Sequence, residues 1–249
     1  MTCESRFVFA YEQEAHNKTC HRVQERSCAL FYFLGGEIDM NQTRLILVEG
    51  LPGTGKTTIS GWIYRRLKRK GVPAKVLRED DAGMPGDWDI DADKHLPASE
   101  YARRMLELWQ HWAENHTDEG VLILDCAFMQ NPLNEMMFRG APDAQAEAYV
   151  RSIAAILEPY DPVCVYLRRE SAQASIEFAQ AAKGKGWASR VDKMLAALGC
   201  PDLFERRYTL ESALLSSMDH VLCDVNGSSW RDAKKRIRRR LCPSYRPQG

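Results

Sequence analysis

Residues Leu45 to Thr58 read LILVEGLPGTGKTT, and the reading of the whole chain starts there. Leu45-Ile46-Leu47-Val48 is a short apolar run, as expected of a strand buried on both faces. Gly50-x-x-x-x-Gly55-Lys56-Thr57 follows and matches the phosphate-binding loop pattern in full. The spacing has a physical basis. Gly50, Gly53 and Gly55 remove side chains where a backbone wraps an anion in conformations that other residues avoid. Leu51, Pro52 and Thr54 complete the loop, whose successive N–H groups then point at phosphate oxygens. A helix opening near Lys56 adds its positive end. Lys56 is placed to reach the β- and γ-phosphates, and the Thr57 hydroxyl to hold Mg²⁺, with Thr58 in the same first turn. Ile59, Ile63 and Leu67 recur at helical spacing, and Gly71 marks a stop.

The chain has 249 residues, 45% of them hydrophobic, which suits one domain with insertions. No apolar run reaches the roughly 18 residues of a membrane span. Lys and Arg balance Asp and Glu at a formal net charge of zero, so no global field favours nucleic acid, which is not expected as a partner. Eight cysteines are scattered without a CxxC pair. Cys126, Cys164 and Cys223 lie in or beside apolar runs, as reduced core cysteines do, so a cytoplasmic setting is expected.

Residues 1–39 read differently from the rest: three cysteines, no sustained period, one apolar patch from Ala29 to Leu34. They are expected to be an N-terminal extension, with Met40 a candidate start and residues 40–249 a single domain. A metal site from Cys3, His16, Cys20 and Cys28 has a spacing that matches no standard zinc pattern.

After the first helix, Ala74 to Arg78 reads as a strand ending in Glu79-Asp80-Asp81. In an α/β sheet that end faces the ligand crevice. Asp80 or Asp81 is a candidate base or orienting group for an acceptor hydroxyl, with Glu79 a candidate substrate contact; a solvated turn is the alternative. Residues 82–97 read as a loop with Trp88 and His95 as possible ligand-facing groups. The alternating Asp87, Asp89, Asp91 and Asp93 lack the glycine and terminal glutamate of a calcium loop. A helix from Ser99 places Tyr101, Met105, Leu108 and Trp112 on one face. Arg103 and Arg104 on it either reach phosphate or are solvated.

Val121 to Leu124, then Asp125, repeats the strand-then-acid pattern and supplies a second candidate Mg²⁺ residue. Gln130, Asn131, Asn134 and Glu135 follow just beyond the same edge, where polar side chains suit a nucleobase or polyol; Asn131 is equally a helix cap before Pro132. A helix over 144–157 leads to a strand, Val163 to Leu167, that ends in Arg168 and Arg169. These arginines pair with substrate or with surface acids. Ser171 to Ala182 reads as a helix, Lys183 to Trp187 as a flexible break, and Trp187, Val191, Leu195 and Leu198 as another helical face. Arg206 and Arg207, on a helix over 201–217, are candidates to close over a transferring phosphoryl group. His220 to Asp224 is a last strand. The final helix sets Trp230, Ala233, Ile237 and Leu241 on one side. The other side carries Arg231, Lys234, Lys235, Arg236, Arg238, Arg239 and Arg240, a face that reads as solvated, with contact to RNA the alternative.

Glu49 to Thr57, the acids after the second strand, Asp125 before Gln130-Asn131-Pro132-Leu133-Asn134-Glu135, and Glu158 to Pro162 before the fourth strand together resemble the P-loop nucleoside and nucleotide kinase superfamily. More narrowly, they are similar to its thymidylate-kinase-like bacterial members of unassigned substrate. The resemblance covers about residues 40 to 242. It implies a doubly wound five-stranded parallel sheet of order 2-3-1-4-5, Mg-ATP as donor, a lid near 183–210, and an acceptor pocket between 79–112 and 126–140. Cys126-Ala127-Phe128 stands where those kinases carry a DRY- or DRS-type signature, so a thymidylate or deoxynucleoside acceptor is not implied. The expected activity is transfer of the ATP γ-phosphoryl to a hydroxyl or phosphate of a small molecule: a nucleoside, nucleotide or antibiotic-like metabolite. Lys56, Asp80, Asp81, Asp125, Arg206 and Arg207 would serve catalysis, and Gly50 to Thr58 the nucleotide. Thr57 and Asp125 would hold the metal, and Glu79, Arg103, Gln130, Asn131, Glu135 and Arg168 the acceptor. A homodimer is compatible with this reading. The alternative is an NTPase switch working through a protein or RNA partner; no Asn-Lys-x-Asp is present to read guanine.

Overall fold

Five short strands carry the architecture: β1 (Leu45–Glu49), β2 (Ala74–Arg78), β3 (Val121–Asp125), β4 (Pro162–Arg168) and β5 (His220–Asp224). They pair in parallel in the order β2-β3-β1-β4-β5. The computed structural model describes residues 44–79, 81, 83–85, 95–116, 120–226 and 230–241. The expectations for residues 1–39 and Met40, and for Asp80, Trp88 and the acids at 87–93, lie outside the described residues.

β1 and β3 are buried along their whole length, and alternation of side chains across the pleat explains why their sequences are apolar up to the closing acids Glu49 and Asp125. Ile46, Val48, Ile123, Val163 and Val165 face one layer, formed by α1 (Lys56–Arg69) and α8 (Arg231–Leu241). Leu45, Leu47, Leu122, Leu124, Cys164 and Tyr166 face the other. That layer holds α2 (Ala98–Asn115), α3 (Gln130–Phe138), α4 (Asp143–Leu157), α5 (Ala172–Lys183), α6 (Lys185–Ala197) and α7 (Leu203–Leu214). β2 is an edge strand whose one buried residue is Leu77.

Two local expectations need correction. The buried face of α2 is Tyr101, Ala102, Met105 and Trp109, because Trp109 packs edge-on against Phe128 with ring centres 6.4 Å apart. Leu108 and Trp112 are only half-buried, and the Trp112 indole donates to Gly83 O at 2.8 Å. The break after α5 is a single residue: Gly184, at φ 87°, ends one helix and starts the next. Trp187 is buried rather than part of a flexible loop. The C-terminal ends of β1, β3 and β4 meet where the sheet order switches direction, the place where such sheets take ligands.

Candidate active site

β1 delivers the chain into the glycine-rich loop at that edge. Gly50, Gly53 and Gly55 adopt φ of 141°, 82° and 89°, which side chains rarely tolerate. Space is closed as well. A Cβ on Gly50 would stand 2.3 Å from Leu167 O, and one on Gly53 2.3 Å from Ser175 O. Gly55 lies under the Trp230 indole, whose ring a Cβ would meet at 2.8 Å. Leu51 and Thr54 are buried, and Thr54 Oγ1 donates to Leu51 O at 2.8 Å, which braces the turn. Pro52 is half-buried, and Thr57 and Thr58 are exposed on the first turn of α1. Lys56 Nζ donates to Gly50 O at 2.8 Å, Leu51 O at 3.2 Å and Gln130 Oε1 at 2.9 Å. The one ammonium group therefore joins the loop to the first residue of α3.

Asp125, 3% exposed, ends β3 beside Val48 of β1. Its Oδ2 accepts from Ser60 Oγ at 3.0 Å, while its buried Oδ1 has no hydrogen-bond partner in the protein. Burial pushes this carboxyl above its ordinary range; the Lys56 charge and hydrogen bonds from Ser60 and Thr57 pull the other way. A buried carboxylate oxygen without a donor, next to the Thr57 hydroxyl, fits a divalent cation. No group of three or more His, Cys, Asp or Glu is set to hold a metal among the described residues. That donor set suits Mg²⁺, which keeps its waters and binds through one or two protein groups plus substrate phosphates.

Glu49 carries an equally strong signal that the sequence reading passed over. It ends β1 with 0% exposure. Its Oε1 accepts from the amides of Ala127 at 2.9 Å and Phe128 at 3.0 Å, and its buried Oε2 has no partner. Cys126, at φ 69°, turns the chain so that both amides face Glu49; such a non-glycine residue stores strain. Burial raises the Glu49 carboxyl to about 7, with the Phe128 amide opposing, Glu211 adding and Lys56 opposing. The readable signal was the pattern already used for Asp125, an apolar run closed by an acid.

The remaining candidates divide. Gln130 holds Lys56. Asn131 Nδ2, in the first turn of α3, donates to Glu79 Oε1 just past the end of β2, and its buried Oδ1 has no partner. Glu135 pairs with Arg139, whose guanidinium lies 4.5 Å from the centre of the Tyr101 ring. Asp81 Oδ2 accepts from Arg78 N at 2.8 Å, so it closes its own turn. Arg103 forms ion pairs with Glu100 and Glu107 on the exposed side of α2, away from a role in holding phosphate. Arg168 pairs with Asp224 at 3.3 Å. Its neighbour Arg169 is the arginine on the loop: 4% exposed, it donates to Gly53 O at 3.3 Å from Nε and Nη2. Arg206 is held by Asp143 and Ala141 O. Arg207 is wholly buried, donating to Glu211 Oε1 and Asn134 Oδ1, while the Tyr166 hydroxyl donates to Glu211 Oε2. A helix buried through these contacts is not a free flap, so Arg207 is a packed structural cation rather than a solvent-facing clamp.

No family model matches the chain. A probable thymidylate kinase of Archaeoglobus fulgidus is 54% identical over 43 residues, 17% of this chain and 19% of that protein. The chain thus matches less than a fifth of that relative's length. A solved structure, deoxyadenosine kinase from M. mycoides with products dCMP and a flexible dCDP bound, aligns over 79% of this chain and 97% of its own at 14% identity and a TM-score of 0.43. That likeness is too weak to bear on fold or function.

Proposed function

We propose that the chain is a P-loop phosphotransferase that moves the γ-phosphoryl group of ATP to a hydroxyl or phosphate of a small molecule, with nucleosides and nucleotides the favoured acceptors. The observation that supports it most is the convergence of Lys56, Thr57 and the unpartnered Oδ1 of Asp125 at the mouth of a loop whose three glycines are sterically required. The short stretch shared with a probable thymidylate kinase agrees with it.

Each residue then has a task. Loop amides and Lys56 hold the triphosphate, and Lys56 exchanges its carbonyl acceptors for phosphate oxygens. Thr57 and Asp125 would hold Mg²⁺, which when bound supplies positive charge against the phosphates. Among the described carboxylates the base is Glu49: with its pKa near neutrality it can take the acceptor hydroxyl's proton on Oε2 and release it afterwards. The acceptor oxygen bonds to the γ-phosphorus as the bond to the β-phosphate oxygen breaks, and ADP leaves. Gln130 and Asn131 border the acceptor side. Most of the rate comes from positioning and fixed charge, since the loose transition state asks little covalent chemistry of the protein. A cytoplasmic setting belongs to this proposal.

The test is ADP release by the full chain with Mg-ATP, alone and with pools of nucleosides, nucleotides and other hydroxylated metabolites, followed by mass spectrometry. Saturable stimulation with a product heavier by one phosphate is expected. Hydrolysis unchanged by every pool would remove the phosphotransferase reading.

A further inference from the structure

Helices α1 and α8 lie side by side on one face of the sheet, anchored by Ile59, Ile63, Ala233 and Ile237 in a shared core. Trp62 of α1 marks the seam: Lys234 Nζ is 5.9 Å and Arg238 Cζ 5.8 Å from its ring centre. The outer side of this pair is strongly biased to positive charge. Beyond Lys56, α1 and its cap residue supply Arg65, Arg66, Lys68, Arg69 and Lys70 and no acid. In α8, of 11 residues, all the acid is Asp232, against seven Lys and Arg. Apart from the half-buried Arg66 and Lys234, every one of these cations is exposed. The chain as a whole has 34 Lys and Arg and 34 Asp and Glu, so its charge is segregated and not merely abundant.

Little in the protein offsets it. Among the described residues, one ion pair reaches this face, Arg240 with Asp219. Arg236 Nη1 donates to Leu222 O at 2.9 Å and Arg69 Nε to Arg65 O at 3.2 Å. Asp224 and Asp232 share a shallow groove with Lys235, Arg236 and Arg239 and bound the patch there. Like charges a helical turn apart repel by about 0.2–0.5 kcal/mol each. A dense polyanion relieves that repulsion.

We propose that the α1–α8 face docks double-stranded DNA through its phosphates, without reading sequence. An 11-residue helix is about 16 Å long, a length over which a duplex presents about nine phosphate charges. Arginine dominates the face, and its planar fork matches phosphate. A lipid surface fits less well, since the exposed large hydrophobic side chains among the described residues, Phe178 and Leu198, sit in the other layer, and interfacial helices bury an apolar face. A single strand fits less well too, because the Trp62 ring is flanked by cations and offers no free stacking platform.

The experiment is fluorescence anisotropy of the full chain with a labelled random-sequence duplex of about 24 base pairs. Engaging about five phosphates gives a log–log salt slope near −4.5, an affinity loss of about 500-fold between 50 and 200 mM salt. Arg65→Glu/Lys68→Glu/Arg69→Glu on α1 and Lys235→Glu/Arg239→Glu on α8 should each weaken binding about tenfold or more. Both variants should keep the wild-type melting temperature and ATP affinity, which shows that the fold and the loop are intact. Absent binding at 50 mM salt, a flat salt dependence, or unchanged binding by folded variants would overturn the proposal. So would tighter binding of single strands, phosphatidylserine vesicles or polyglutamate than of the duplex.

Discussion

Lys56 Nζ donates to Gln130 Oε1 at 2.9 Å, tying the phosphate loop to the helix that follows β3. The phosphate loop and α3, on the two sides of the crevice, therefore share one hydrogen bond. Lys56→Ala should lower ATP turnover by about 10²–10³, as loss of a transition-state donor does. Gln130→Ala leaves the ammonium its two loop carbonyls and should cost only about fivefold, the worth of one ordinary hydrogen bond. Steady-state kcat for the two variants checks the ordering; equal losses would mean that Gln130 does more than hold Lys56.

Glu49 makes a prediction in pH. Its carboxyl is raised from 4.5 to about 7 in the folded chain, so between those values the native state holds a proton that the unfolded chain has lost. Stability then falls as pH rises from about 4.5 to 7, and the penalty is complete above that. Glu49→Gln keeps an oxygen for the Ala127 and Phe128 amides and removes the titration. At pH 8 it should be more stable than wild type by about 3 kcal/mol, with the gain gone at pH 4. Turnover should fall in the same variant at neutral and higher pH, and the difference should shrink toward acid pH, where Glu49 is already protonated. Urea denaturation at several pH values reads the first effect and kcat the second. A gain over wild type no larger at pH 8 than at pH 4 would rule out the buried, shifted carboxyl.

Gly53 cannot carry a side chain. Its φ of 82° and the 2.3 Å from a built Cβ to Ser175 O predict that Gly53→Ala destabilises the fold by about 2 kcal/mol or more. It should also weaken ATP binding by moving the loop off α5. Gly71→Ala, at φ 76° with nothing within 4 Å, should cost only the backbone strain, about 1 kcal/mol. Denaturation midpoints separate the crowded glycine from the open one.

Arg207 and Glu211 are both 0% exposed and paired within α7. Removing one partner leaves a bare buried charge, so Arg207→Met should destabilise by about 3–5 kcal/mol. Arg207→Met/Glu211→Leu should recover much of that loss. A double variant as unstable as the single one would show that the helix needs the ion pair itself.

Strand limits and the loop were legible because their causes are local: apolar runs closed by acids, three glycines at fixed spacing, helical periods; the sheet order followed only from the family resemblance. The site was legible only in part. Lys56, Thr57 and Asp125 belong to a motif of fixed geometry. Glu49 stands inside that motif, yet its neighbours Ala127, Phe128 and Glu211 come from distant segments, and nothing local reveals its burial. The burial of Arg207 was illegible for the same reason: its 0% exposure is set by Asn134, Glu211 and Tyr166, brought together only by folding. The basic face was visible as a charged last helix, but its pairing with α1 across Trp62 depends on both helices packing on the same side of the sheet.

The account rests on the loop gripping a triphosphate, and isothermal titration of the full chain with ATP and Mg²⁺ tests this most directly. Saturable heat is predicted for the wild type, strongly reduced in Lys56→Ala at an unchanged melting temperature. A folded wild-type protein that gives no heat with ATP or any other nucleoside triphosphate would contradict it.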